Sequence, residues 1–142
     1  MRQTGHAELW QGPSMINGKP VVVLATNLAP GPRSENSKIG NMSQAWILPA
    51  DEHPQNAIKN GKDESICGSC FFRQAMDAAG RRLCYVRSFV FNKIWSRWKL
   101  GGYPITSPAD VNRVRPIRLG AYGDPAAVPF EMWAEMLGLE KA

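Results

Sequence analysis

The chain lacks two features that define large classes of proteins: long apolar runs and plentiful cysteines. No part of its 142 residues approaches the run of about eighteen apolar residues that a membrane span needs, and the N-terminus has no apolar signal core. Its three cysteines are too few, and odd in number, for a secreted disulfide scaffold of this size. We therefore predict a cytoplasmic protein whose cysteines are free thiols or thiolate ligands.

The common catalytic motifs are also missing. The sequence contains no GxGxxG, no P-loop and no HExxH, and its cysteines do not have the CxxxCxxC spacing of radical-SAM enzymes. A Ser-His-Asp triad would have to recruit His6 or His53 without a nucleophile-elbow pattern. These absences disfavour a hydrolase or a nucleotide kinase.

The composition predicts one packed domain. The apolar fraction is 44% and the chain has five Trp, three Tyr and five Phe, which is typical of a globular protein rather than a disordered one. Residues 1–18 are rich in Gly and Pro and indicate a flexible arm, so the domain is predicted at residues 19–142. Period-two and apolar runs predict strands at residues 19–25, 39–48, 81–86 and 115–122. Helical patterns cover residues 54–60, 71–79, 89–99 and 129–137, with a short helix beginning at Ser107.

We accordingly expect a compact α/β domain of about four short strands and three to four helices, with a metal-bound cysteine turn. A mixed α+β arrangement is the alternative.

The cysteines carry the most specific pattern. Cys67 and Cys70 have the two-residue spacing that lets one tight turn direct two sulfurs at a single ion, and Cys84 follows after thirteen intervening residues. With His53 as a fourth ligand, or His6 in its place, they predict a zinc site; alternatively they hold an iron-sulfur cluster. A redox pair at Cys67 and Cys70 and buried structural thiols are the other interpretations.

The positive charge is concentrated in the middle of the chain. Of the net charge of +5, residues 73–118 contribute ten basic side chains against two acidic ones. Such a concentration of positive charge favours a polyanionic partner, above all nucleic acid, although a solvated basic face without a partner fits equally well. The predicted nucleic-acid contacts are Arg73, Arg81, Arg82, Arg87, Arg97 and Lys99.

A second candidate site lies where the last predicted strand ends. The sequence there runs Gly120-Ala-Tyr122-Gly123-Asp124-Pro, and in open α/β sheets ligands meet the carboxyl ends of strands. Gly120 and Gly123 would let the backbone approach a ligand, and Asp124 could accept from a hydroxyl or bind a metal. The alternative is a turn in which Asp124 bonds its own backbone.

Four motifs resemble a family of uncharacterised proteins common in bacteriophage genomes. They are KxGxMxQ at residues 38–44, SICGxCxxR at 65–73, CYV at 84–86 and RLGAYGDPAAVP at 118–129. The resemblance implies a viral or prophage origin, hence the host cytoplasm, but no activity. It also implies that this chain is a short or truncated member.

Together these patterns predict a metal-stabilised phage accessory protein that binds nucleic acid through residues 73–118. The alternatives are a metal-cluster enzyme, or its remnant, with a ligand pocket at residues 120–124, and an inhibitor or adaptor of a host protein.

Overall fold

In the part of the chain that the structure describes, four strands form one mixed sheet, and strands that are adjacent in the sheet are also consecutive in the chain. The computed structural model describes residues 5–28, 42–73, 75–84, 86, 88–111 and 116–139. The strands are β1 (His6–Pro13), β2 (Pro20–Thr26), β3 (Ser43–Pro49) and β4 (Ile117–Tyr122). Pairing is antiparallel from β1 to β3 and parallel between β3 and β4.

The two central strands form the core of the domain. Every residue of β3 is buried, and so are residues 21–25 of β2. A strand buried on both faces needs apolar side chains on both faces, which explains the continuous Val-Val-Val-Leu-Ala run of β2. The sheet is therefore covered on both sides by the remaining elements.

Among the described residues, four helices surround this sheet: α1 (Pro54–Asn60), α2 (Glu64–Cys67), α3 (Ser88–Lys99) and α4 (Phe130–Leu137). Short 3-10 turns occur at Phe71–Arg73, Pro108–Asp110 and Pro125–Ala127. None of the helices in the described ranges is both long and apolar enough to cross a membrane.

The longest helix, α3, is fixed by its aromatic stripe. Phe91 is fully buried, and the indole nitrogens of Trp95 and Trp98 donate to Pro49 O at 2.7 Å and to Glu8 Oε1 at 2.5 Å. These aromatic side chains thus tie α3 to β1 and to the end of β3.

The predicted fold class is confirmed: one four-stranded mixed sheet with four helices fits an α/β or α+β domain of the expected size. Helices α1, α3 and α4 and strands β2 and β4 lie where the patterns placed them. The second predicted strand begins at Ser43, and its residues 39–41 lie outside the described part of the chain, as does residue 115 of the fourth.

The N-terminal segment differs from the flexible arm predicted for residues 1–18. His6–Pro13 is strand β1, and its register with β2 runs from His6↔Thr26 to Pro13↔Pro20. Ala7 and Leu9 are buried while His6 and Glu8 are less so, a period-two alternation that the Gly and Pro content obscured. The segment is a regular strand because it pairs along one edge of β2.

The segment between the cysteines also differs from prediction. The helix expected at residues 71–79 is a single 3-10 turn, and the strand expected at residues 81–86 is one antiparallel bridge between Met76 and Arg82. Asp77 Oδ1 accepts from the backbone N–H groups of Ala79 and Arg81, which closes a tight turn instead. Residues 74, 85 and 87 lie outside the described part.

Phe91→Ala should destabilise the protein by about 3 to 5 kcal/mol, because it removes a fully buried ring from the centre of the packing. Urea denaturation measures the loss. Phe89→Ala in the same helix is the matched control: that side chain is 64% exposed, and its loss should cost less than about 0.5 kcal/mol. Equal losses in the two variants would show that α3 does not pack as described.

Candidate functional site

The cysteine turn, defined as residues 63–73, is organised by glycine geometry and backbone hydrogen bonds. After α2 the chain reverses at Gly68, whose φ of 57° and ψ of −131° are disfavoured for residues with a side chain. Cys70 N then donates to Cys67 O at 3.1 Å. The turn predicted from the two-residue cysteine spacing is therefore present.

A buried ion pair holds the two ends of this turn together. Asp63 is fully buried, and its Oδ1 lies 2.5 Å from Nη1 of Arg73. The same nitrogen donates to Gly61 O at 3.3 Å. A buried carboxylate is tolerated only when it is paired and hydrogen-bonded, so Arg73 is a structural partner of Asp63 rather than a free surface cation.

Two further hydrogen bonds attach α2 to the rest of the fold. Asp124 N, just after β4, donates to Ile66 O at 2.5 Å, and Ser14 Oγ donates to Ser65 O at 2.6 Å. Ile66 itself is fully buried. The cysteine turn is thus fastened directly to the carboxyl end of β4.

This attachment creates a cavity of about 300 Å³ between the two predicted sites, which we call the cysteine cavity. One side consists of Cys67, Cys70, Arg73, Cys84 and Val86, and the other of residues 120–125. The sequence suggested a cysteine site and a strand-end pocket separately, and the fold places them against each other.

Tyr122 is the buried polar side chain of this cavity. It is only 3% exposed, and its ring stacks on Phe91 with centroids 4.0 Å apart and an interplanar angle of 8°. Its hydroxyl has no hydrogen-bond partner in the described part of the chain. Burial, and then the neighbouring Cys67, raise the pKa of this hydroxyl well above its ordinary range, so it stays a neutral donor.

Cys67 is likewise held in its neutral form. Burial raises the pKa of its thiol from 9.0 to about 12, and the nearby Asp63 and Cys84 add to the rise. The Tyr122 hydroxyl acts in the opposite direction, but its contact with the sulfur falls short of hydrogen-bond geometry. At neutral pH Cys67 is therefore a poor nucleophile.

The glycines and the aspartate at the end of β4 have structural roles. A Cβ on Gly123, whose φ is +88°, would lie 2.8 Å from Ile47 O, and one on Gly120 would lie 2.8 Å from Gly123 O. Asp124 Oδ1 accepts from Ala126 N at 2.9 Å and caps the following 3-10 turn. The glycines let β4 and its turn pack closely on β3, and Asp124 adopts the self-bonded turn considered as the alternative.

The predicted metal-stabilised function is wrong. In the described ranges no group of three or more His, Cys, Asp or Glu side chains could hold a metal ion, which removes the basis of both the metal-stabilised nucleic-acid-binding protein and the metal-cluster enzyme. His53, the expected fourth ligand, is not among the residues of the cysteine cavity. Its Nδ1 accepts from Gln55 N at the start of α1, and its ring packs on Trp95. His6 bonds Gly102 O and packs on Tyr103.

The predicted nucleic-acid contacts occupy different environments. Arg73 is in the buried ion pair, Arg81 forms an exposed ion pair with Asp77, and Arg82 has buried guanidinium nitrogens. Lys99 lies over the rings of Trp95 and Trp98 in the last turn of α3, which also contains Arg97. Arg87 lies outside the described residues. The nucleic-acid partner stays a prediction.

No protein-family model, curated protein or solved structure matches the chain. The resemblance to bacteriophage proteins therefore stays a prediction as well.

The sequence interpretation missed three contributors to the site. Asp63 and Arg73 lie at the two ends of the cysteine turn, but nothing in the sequence shows that they pair. Phe91 lies in the helix predicted at residues 89–99, but that pattern does not show that its ring stacks on Tyr122. Val86 lines the cavity, although its segment was predicted to be a strand.

Cys70 should react with iodoacetamide at pH 8 well before Cys67. Cys70 is exposed, whereas a thiol pKa near 12 leaves Cys67 with roughly a thousandfold less thiolate than an ordinary cysteine. Tandem mass spectrometry of the peptide that contains both residues assigns the label, and Cys70→Ser should remove the fast phase. Comparable rates at the two positions would contradict the burial of Cys67.

Stability should fall as the pH rises above 9. Because folding raises the pKa of Cys67 to about 12, the neutral thiol stabilises the folded state fully below pH 9, and this contribution is lost between pH 9 and 12. The expected slope from this residue is up to about 1.4 kcal/mol per pH unit. Urea titrations at pH 8 to 10.5 should show that the free energy of unfolding falls less steeply with pH in Cys67→Ala than in the wild type. Ser69→Ala, in the same turn, should show the same slope as the wild type.

Proposed function

We propose that the protein binds a small organic ligand in the cysteine cavity, with a hydrogen-bond acceptor of the ligand meeting the Tyr122 hydroxyl. The observation that carries this proposal is the hydroxyl itself. Tyr122 lines the cavity, and its hydroxyl is buried and has no partner among the described residues. Leaving a buried donor unpaired costs about 1 to 3 kcal/mol, so such donors in folded proteins usually have a counterpart.

The size and lining of the cavity support a ligand of this kind. About 300 Å³ is at the lower end of small-molecule pockets and corresponds to roughly ten water molecules in liquid. Apolar and sulfur atoms dominate its walls, including Val86, Ala121 and Pro125. A mostly apolar cavity with one precisely placed donor is typical of sites that bind a ring or short chain carrying one polar group.

The electrostatics favour binding over covalent chemistry. Cys67 remains protonated at neutral pH, and Tyr122 does not ionise in the physiological range. Neither group can act as a nucleophile or base without first losing a tightly held proton. Both can donate hydrogen bonds, which is what a recognition site requires.

The direct test uses benzamide as a one-ring acceptor and toluene as a one-ring compound without an acceptor. Titrated into isotope-labelled protein, benzamide should shift backbone NMR signals of Gly120, Gly123 and Cys70. Tyr122→Phe keeps the ring on Phe91 but removes the hydroxyl, so it should weaken benzamide binding about two- to tenfold, the worth of one hydrogen bond. Toluene binding should not change.

Tyr103→Phe is the matched control, since Tyr103 is also buried but does not line the cavity. Benzamide affinity that is equal in wild type and Tyr122→Phe, or shifts confined to other surfaces, would refute the proposal.

A further inference from the structure

Two of the three thiols lie at the ends of one four-residue reverse turn, Cys67-Gly68-Ser69-Cys70. The N–H of Cys70 donates to the carbonyl of Cys67 at 3.1 Å, which closes the turn. Gly68 has a φ of 57° and a ψ of −131°, the conformation of the second residue in a type II′ turn. In such a turn the first and last Cα atoms lie less than about 7 Å apart.

This separation matches the geometry of a disulfide bond. The Cα atoms of bridged cysteines are usually about 4.4 to 6.8 Å apart. Cys67 and Cys70 also open onto the same space: both line the cysteine cavity, and both line an adjoining open hollow of about 450 Å³. The turn therefore places the two thiols within the range that a disulfide spans.

The two thiols differ in their access to solvent. Cys70 is exposed, whereas Cys67 is partly buried. The hollow beside Cys70 is also lined by Ile16, Ser69 and Ala126, and its volume is in the range of small-molecule sites. A small molecule from solution thus reaches the sulfur of Cys70 first. An exposed thiol paired with a less accessible one in a Cys-X-X-Cys turn suits dithiol–disulfide exchange, which needs one accessible attacking thiol.

The electrostatics assign the same order to the two thiols. Burial raises the pKa of the Cys67 thiol to about 12, so Cys67 is the weaker attacking group at neutral pH. Its fixed position in the turn offsets its low thiolate fraction in a second, intramolecular step, because such steps have a high effective concentration.

We propose that residues 67–70 are a dithiol–disulfide exchange site for small organic disulfides, in which Cys70 attacks and Cys67 resolves. The Cys70 thiolate bonds to one sulfur of the small disulfide, whose S–S bond breaks and releases one thiol. Cys67 then loses its proton and attacks the Cys70 sulfur, which releases the second thiol and leaves a Cys67–Cys70 disulfide. The small disulfide gains two electrons and two protons, and the protein loses both. This activity does not depend on the ligand proposed above.

Oxidised glutathione is the probe for this exchange. Reduced protein is incubated at pH 8 in mixtures of oxidised and reduced glutathione, quenched with acid and alkylated with N-ethylmaleimide. Trypsin leaves Cys67 and Cys70 in one peptide, residues 63–73, so their disulfide appears as that peptide without alkylation and two hydrogens lighter. We expect this species in the wild type, preceded by a mixed disulfide of Cys70 with glutathione.

Variants of the three cysteines have different expected outcomes. Cys67→Ser should stop at the mixed disulfide on Cys70, and Cys70→Ser should slow the reaction of Cys67 with oxidised glutathione at least tenfold. Cys84→Ser is the matched control: Cys84 lines the cavity but lies outside the turn, so its loss should not change formation of the Cys67–Cys70 disulfide. The inference is overturned if wild-type protein forms only mixed disulfides, or if its disulfide joins Cys84 to either of the other two.

Unfolding in urea separates the folded turn from the bare sequence. At the same concentration of reduced glutathione, folded wild-type protein should form the disulfide with at least tenfold less oxidised glutathione than the same chain in urea. The reason is that the hydrogen-bonded turn already holds the two cysteines together. Equal requirements in the folded and unfolded chains would show that the fold contributes nothing to the exchange, which also overturns the inference.

Discussion

The buried pair of Asp63 and Arg73 is the interaction on which the candidate site depends. A carboxylate with no solvent exposure lies at the start of α2, and its position is tenable because Nη1 of Arg73 reaches it from the far side of the cysteine turn. This closes residues 63–73 into a loop whose two ends cannot separate without stranding a charge. This closure fixes the positions of the Cys67 and Cys70 sulfurs. It also holds α2 close to the end of β4, where Asp124 N donates to the carbonyl of Ile66 inside the same loop.

The resulting cavity has mostly apolar walls and is also lined by two polar groups, the Cys67 thiol and the Tyr122 side chain. Burial keeps the Cys67 thiol and the Tyr122 hydroxyl neutral, so the site has donors but little nucleophilic character. Close packing holds the Tyr122 ring in place: it is stacked on Phe91, and the turn after β4 approaches Ile47 closely at Gly123. Because the fold already holds these polar groups in place, binding of the proposed ligand would have a low ordering cost.

Much of the fold could be predicted because it depends on local pattern. The apolar run of β2 and the helical spacing of Phe91, Trp95 and Trp98 each require one burial geometry. Strand β1 was missed because Gly and Pro content was given more weight than the alternation of Ala7 and Leu9. The segment at residues 71–86 was misread because its local propensities are weak and its conformation is set by Asp77, whose side chain closes the turn.

The metal prediction shows what spacing cannot decide. Two cysteines separated by two residues are compatible with a shared ion, and equally with a glycine turn whose thiols line an apolar cavity. The distinction depends on whether further ligands converge, and His53 instead bonds the first turn of α1. By itself the sequence determined the sheet strands that must be buried, the long helix and the tight cysteine turn, because those follow from the periodicity and chemistry of neighbouring residues. Only the tertiary structure decided that Asp63 meets Arg73, because no local pattern shows that two side chains ten residues apart will pair. It alone also decided that the turn meets the end of β4, because Ile66 and Asp124 are far apart in the chain.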